Sequence, residues 1–216
     1  MKKLFIKLAK IFGFEIIDQN KFSSPTLNRE LNKDLSTLNE KSIVLPLGEV
    51  KISRSVKSIL IIVRMNTEVE IWDQSKKRLF EQSKIEYSYR SINSLINSIN
   101  FCQNKYPKIL IKTFIIDDNS KDENLNRIKK LTEDKNIEFI SLNHDSYKTK
   151  IKKQKSKETF SNLASLLNSF EIGKNQGEDL VFFVEDDYIH FEPMLDEMIA
   201  SYERIASQLN RDIFMC

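Results

Sequence analysis

Apolar residues fall along this chain in two spacings, continuous short runs and helical stripes, and the two alternate. Ser58-Ile59-Leu60-Ile61-Ile62-Val63 is β-branched and apolar almost throughout, and Ile109 to Ile116, Ile137 to Leu142 and Leu180 to Val184 repeat the design. Runs of this length bounded by polar residues predict strands, and an unbroken apolar run predicts a strand covered on both faces, as at the centre of a parallel sheet. Between them, Ile92, Leu95, Ile96 and Ile99 form one stripe within a helix expected over Ser88 to Phe101. Phe160, Leu163, Leu166, Leu167 and Phe170 do the same over Thr159 to Phe170, and Met194 to Leu209 is a third amphipathic helix. A further helical pattern covers Gln74 to Phe80. Strands alternating with helices predict an α/β domain with right-handed crossovers and a mainly parallel sheet.

The first 56 residues read differently. Leu4, Phe5, Leu8, Ile11 and Phe12 recur at helical spacing with Lys2, Lys3, Lys7 and Lys10 on much of the remaining surface, so residues 1–17 are an amphipathic helix. Lys7 and Lys10 interrupt its apolar run, which is too short to span a bilayer and a poor signal sequence. It suits an anionic membrane surface or docking on its own domain. Residues 18–56 are a polar linker or extension, with a little helix around Leu27 to Leu38 and a short edge strand at Ile43 to Leu47, where Pro46 is tolerated. The domain proper is expected over residues 57–216.

Composition narrows the function classes. With 216 residues, 40% hydrophobic and 30% charged, the chain can bury one sizeable core. Its 34 basic and 31 acidic residues nearly cancel, so no nucleic-acid partner is expected. Four glycines leave neither a P-loop nor a glycine-rich phosphate cradle. Cys102 and Cys216 have no metal-ligand or disulfide spacing, which fits a reducing, cytoplasmic compartment.

The chemistry is concentrated at two strand ends. The run Leu180 to Val184 stops at Glu185-Asp186-Asp187, three adjacent carboxylates that repel unless a cation or strong donors hold them. Mn²⁺ or Mg²⁺ is the natural cation, since both prefer carboxylate oxygen and bridge to substrate phosphates. A solvated acidic strand end is the alternative. Phe114-Ile115-Ile116 likewise runs into Asp117-Asp118-Asn119-Ser120. Ser120 and Glu123 are spaced as a capping box for the following helix. That accounts for neither Asp117 nor Asp118, which at a sheet edge can accept hydrogen bonds from a ribose or a base.

Ile115 to Asp122 resembles the nucleotide-binding signature of family 2-like glycosyltransferases with the GT-A (nucleotide-diphospho-sugar transferase) fold, and Glu185-Asp186-Asp187 resembles their DxD-type metal motif. The resemblance runs from about Lys57 to the end and includes the helix carrying Arg90-Ser91-Ile92-Asn93-Ser94-Leu95. It implies metal-dependent transfer of a sugar from a nucleotide-diphosphate donor to a hydroxyl of a saccharide or lipid-linked acceptor. Asp117 and Asp118 are then expected at the base or ribose, Asp186 at the ribose or sugar, and Asp187 with Glu185 at the metal. Asn66, just after the first strand, falls in the loop that borders the nucleotide. A nucleotidyltransferase of similar fold, and a non-catalytic nucleotide-binding or membrane-surface module, are the alternatives. Glycoside hydrolysis is disfavoured, because its carboxylate pair flanks a sugar bond instead of crowding one strand end.

No catalytic residue is assigned. In the resembling family the base lies well beyond the DxD-type motif, whereas here one helix follows it and Asp212 to Cys216 reads as a strand cut short. A C-terminally incomplete enzyme, inactive alone or completed by a partner, is therefore expected, in the cytoplasm or peripheral on the inner membrane face. Asp196 and Glu197 are poor substitutes for the base. Tyr147 to Lys157 is strongly basic, a solvated loop or a lid whose lysines face the diphosphate. His144 is solitary, and His190 is either a ligand near Asp187 or a loop residue.

Overall fold

A computed structural model describes residues 2–13, 51–68, 82–133, 135–152 and 156–215. The expected linker helix, the edge strand at 43–47 and the helix at 74–80 lie outside those residues. The chain divides into two compact units, Ser55–Ser201 and Met1–Arg54 with Tyr202–Cys216. In chain order the elements are α1 (Lys2–Ile11), β1 (Ser58–Met65), α2 (Lys84–Lys105), β2 (Leu110–Asp117), α3 (Asp122–Leu131), β3 (Ile137–Ser141), α4 (Lys157–Gln176), β4 (Leu180–Glu185) and α5 (Met194–Leu209). A 3₁₀ turn at His144–Tyr147 links β3 to α4.

The larger unit is α/β, with a four-stranded, wholly parallel sheet in the order β3-β2-β1-β4 flanked by helices, as the alternation of apolar runs and stripes predicts. β1 is an interior strand: it pairs with β2 on one side and β4 on the other, and Ile59 to Val63 are all buried. At roughly 1.5–3 kcal/mol per fully buried side chain of this size, those five residues provide the anchor on which the polar sheet edge is built. α2 buries Ile92, Leu95, Ile96 and Ile99 as its spacing predicts, together with the small residues Ser88, Ser91 and Ser98. On another side Leu60, Ile62, Phe114 and Ile116 pack with Leu142, Tyr147, Ile151, Ala164 and Ile172.

Four expectations are corrected. β4 is not a central strand: among the described residues it has a neighbour only on the β1 side, only Val184 of its six residues is fully buried, and Phe183 is 42% exposed. Its apolar run is satisfied partly by α4, where Phe170 meets the Phe183 ring edge-on at 5.1 Å. Ser120 is not a helix cap, because α3 begins after Lys121 without a side-chain cap. Ser120 Oγ instead accepts the Thr67 N–H at 3.1 Å and bonds to Asp117, which ties the loop after β1 to the loop after β2. The basic stretch is anchored in its first half, with Tyr147 and Ile151 in the core. Tyr147 and Lys150 both donate to Glu171 of α4, at 2.8 and 2.5 Å. Finally, Asp212 to Met215 is not a strand. In the smaller unit Asp212 Oδ1 accepts from Arg54 Nη1 at 2.6 Å and from the Tyr202 hydroxyl at 2.9 Å, and Arg54 Nη2 reaches the Asn210 carbonyl, so side-chain bonds hold that segment as a loop.

Candidate functional site

The parallel register brings the strand ends together. Met65 pairs with Asp117 and Arg64 with Glu185, so Asn66, Asp118 and Asp186 emerge side by side one residue beyond the ladder. The Asp118 N–H still donates to the Met65 carbonyl at 2.9 Å, extending the β1–β2 ladder by one bond. Carboxyl ends of parallel strands lack a continuing ladder and are where such sheets bind ligands.

Asn66 stands between the two acidic motifs. Its backbone N–H points to Asp186 Oδ2 and its Nδ2 to Asp118 Oδ2, each at 3.3 Å. Its own Oδ1 accepts from the Glu68 N–H at 3.0 Å and so curls the chain over the edge.

Asp118 is 6% exposed and surrounded by donors. Ser161 Oγ of α4 donates to Oδ2 at 2.5 Å, His144 Nε2 lies 2.9 Å from Oδ1, and Asn119 Nδ2 reaches Oδ1 at 3.3 Å. Asn119 has φ of 60°, a left-handed conformation that asparagine adopts more readily than most residues and that folds its amide back on Asp118. His144, Ser161 and Asp118 do not form a hydrolase triad. A triad base meets its nucleophile and its carboxylate through different ring nitrogens, whereas His144 Nε2 meets both Asp118 and, at 2.8 Å, Ser161.

Asp117 is equally buried and is held by Ser120, with Oδ1 lacking a partner among the described residues. Burial pushes its carboxyl above the usual carboxylate range, against the hydrogen bonds of Ser120. Successive side chains of a strand alternate between faces, so Asp117 supports the loop while Asp118 lines the edge.

The three carboxylates after β4 have three different environments. Glu185 is engaged by Arg64, whose other terminal nitrogen bonds Asn162 at 2.7 Å. Asp186 is buried, with Lys84 Nζ at 2.7 Å on Oδ1 and Ser88 Oγ at 2.5 Å on Oδ2. Burial raises its carboxyl, and Lys84 and Ser88 oppose the rise. Asp187 keeps 52% of its side chain exposed, with Lys84 Nζ 3.7 Å away. Among the described residues no three His, Cys, Asp or Glu side chains gather as a metal cage. Asp187 alone fits a hard divalent ion that takes one protein carboxylate and completes its shell with phosphate oxygens and water. Glu185 is already committed to a guanidinium and Asp186 to an ammonium.

Lys84, Ser88, His144, Ser161 and Arg64 all belong to the site, and the sequence patterns point to none of them as site residues. Lys84 and Ser88 stand four apart on one helix face, but their helix was expected to begin only at Ser88. Two lysines of the basic stretch are engaged elsewhere: Lys148 meets Asp145 at 2.6 Å and Lys150 meets Glu171. His190 donates its backbone N–H to Ser94 at 3.0 Å and sets its ring edge-on to Phe182, and burial pushes its imidazole down toward the neutral form. Buried Asp196 accepts from Lys105 at 2.6 Å and from the Tyr106 hydroxyl at 2.8 Å.

No protein-family model matches the chain, and no curated protein matches it. Among solved structures, it is similar to the crystal structure of S. aureus TarS 1–349, with 18% sequence identity and a TM-score of 0.38 over 66% of this chain. The matched part spans 31% of that chain's length, and a likeness at that score carries no argument about chemistry.

Proposed function

We propose that the carboxyl edge of this sheet binds the nucleotide-diphosphate part of a sugar donor, and that the protein acts in glycosyl transfer to a hydroxyl of a saccharide or lipid-linked acceptor. The observation that carries this reading is Asn66, which contacts buried Asp118 on one side and buried Asp186 on the other. Two desolvated carboxylates joined at one sheet edge are costly unless donors satisfy them. The long contacts from Asn66 and Asn119 are the ones that ribose hydroxyls or a base N–H would replace. The short bond from Ser161 would persist and hold Asp118 in place. Asp118 then accepts from base or ribose and Asp186 faces the ribose or sugar.

The edge has more carboxylates than cations, so a diphosphate does not enter it unaided. Asp187 is the residue that would hold Mn²⁺ or Mg²⁺, and the bound ion would supply positive charge against the charge developing on the departing diphosphate. The protein's own part is to fix the donor so that an acceptor oxygen reaches the anomeric carbon as the bond to the diphosphate oxygen breaks. The leaving oxygen keeps the electron pair, and the acceptor proton passes to a base.

The amphipathic helix supports a second element of the reading. Phe5, Leu8, Ile11 and Phe12 of the α1 segment are 46–78% exposed beside exposed Lys7. That combination suits an anionic membrane surface, where a lipid-linked acceptor would be met. Among the described residues no helix is long and apolar enough to cross a membrane.

Calorimetric titration with uridine and guanosine diphosphates, with and without Mn²⁺, tests the site. Asp187→Asn should abolish the metal-dependent part of the affinity, and Asp118→Ala should weaken binding even without metal. A parent protein that binds neither nucleotide up to roughly millimolar, an interaction worth only about 4 kcal/mol, would leave the acidic strand ends as solvated edges. Preference for a nucleoside triphosphate over a diphosphate sugar would favour nucleotidyl transfer instead.

A further inference from the structure

We infer that Lys84 is a built-in rival of the divalent ion at Asp187, and that it makes metal binding conditional on the donor's diphosphate. The inference rests on the donor-site reading above and adds a residue that no acidic motif contains.

Lys84 is the first residue of α2, and its side chain is only 12% exposed. Its ammonium lies 2.7 Å from Asp186 Oδ1 and 3.7 Å from Asp187 Oδ2. One helical turn later Ser88 Oγ holds the other oxygen of Asp186 at 2.5 Å, while the Asn66 N–H approaches the same oxygen. Asp186 is thus gripped from both sides and cannot swing away with the lysine. The ammonium is therefore fixed where it already shares the charge of Asp187.

A divalent ion held by Asp187 Oδ2 would sit about 2 Å from that oxygen and so no more than about 6 Å from the ammonium, which is 3.7 Å from the same oxygen. Two positive centres at such a distance repel, and the burial of Lys84 and Asp186 on one side leaves them less screened than in bulk water. Asp187 is consequently a poor ligand for a free ion. Arrival of a diphosphate reverses the balance, because it brings negative charge and further oxygen ligands, and the ammonium then faces phosphate oxygens as well as the ion. Nucleotide and metal must each strengthen the other's binding, by the same factor. Lys84 sets how large that factor is by suppressing the metal-only state.

The test uses the whole chain and Mn²⁺, with the free ion followed by electron paramagnetic resonance. Without nucleotide, Lys84→Gln should bind Mn²⁺ at least about tenfold more tightly than the parent, within the usual range of such couplings. The gain should vanish in K84Q/D187N. Lys84→Arg, which keeps the charge, should remain as weak as the parent. Lys84→Met gives the same comparison with an apolar chain of similar length should K84Q fold poorly. The enhancement of Mn²⁺ binding by uridine or guanosine diphosphate should shrink in both neutral variants. Folded K84Q and K84M that bind Mn²⁺ no better than the parent, while nucleotide still promotes Mn²⁺ binding to the parent, would overturn the role of Lys84 and leave the donor site standing. Absence of Mn²⁺ binding to every form even with nucleotide would overturn both.

Discussion

Ser161→Ala removes a single hydroxyl, yet it should loosen the carboxylate that the donor-site reading assigns to the nucleoside. Ser161 Oγ lies 2.5 Å from Asp118 Oδ2, and Asp118 is 6% exposed, so water has little room to replace the lost donor. A hydrogen bond to a charged group contributes about 1.5–3 kcal/mol. Ser161 itself is only half-buried and His144 Nε2 remains 2.9 Å from the same carboxylate, which argues for the lower part of that range, about 1.5–2 kcal/mol. With a urea dependence of about 1–3 kcal/mol per molar for a small domain, the unfolding midpoint should fall by roughly 1 M. A double-mutant cycle isolates the pair: parent, Ser161→Ala, Asp118→Ala and the double variant are unfolded in urea without nucleotide, by two probes. The coupling should reach about 1 kcal/mol or more, well outside the roughly 0.3–0.5 kcal/mol within which independent sites add. Coupling inside that margin would mean that the Ser161 hydroxyl does not hold Asp118. On the donor-site reading, Ser161→Ala should also weaken nucleoside diphosphate binding by up to about tenfold, or about 1.4 kcal/mol.

Three further outcomes are expected. Burial raises the Asp117 carboxyl, so the folded state binds that proton more tightly than the unfolded chain; the stability it contributes is present below its ordinary value of 3.8 and is lost as pH rises through the folded value. Asp117→Asn should therefore unfold at a higher temperature than the parent near pH 7.5, with the gap closing toward pH 4, and a gap that widens on acidification would refute the assignment. At Gly177 an added Cβ would stand 2.4 Å from Val181 Cγ2 and 2.6 Å from the Gly173 carbonyl oxygen, so Gly177→Ala should destabilise by about 1–3 kcal/mol in urea unfolding, and a neutral result would show that α4 and β4 do not approach so closely. Deleting residues 1–14 should remove binding to anionic vesicles in a sedimentation assay, and the intact chain should lose that binding as salt rises; equal sedimentation of both forms would exclude α1 as the membrane contact.

The elements themselves were legible because their signals are local. β1, β2, β3 and β4 lie where continuous apolar runs predict them, and the stripe of Ile92, Leu95, Ile96 and Ile99 is the buried face of α2. Asp118 and Asp186 could be singled out for a related reason: a carboxylate that directly follows a buried strand must emerge at the sheet edge. Period and adjacency are properties of neighbouring residues, and no partner from elsewhere is needed to read them.

Tertiary structure decided which strand is central and what each carboxylate meets. The run of β4 is as apolar as that of β1, but strand order leaves β4 with one described neighbour and gives β1 two. Ser120 carries a plausible local cap pattern, and the Thr67 N–H, 53 residues away, claims it instead. Ser161 is separated from Asp118 by 43 residues and Ser88 from Asp186 by 98, while Lys84 reaches Asp186 across 102. Serines and lysines are common on helices and carry no period of their own. Only the pairing of β1 with both β2 and β4 turns these scattered side chains into the donors of two buried carboxylates, because burial makes each carboxylate take whatever donors the packed helices bring within reach.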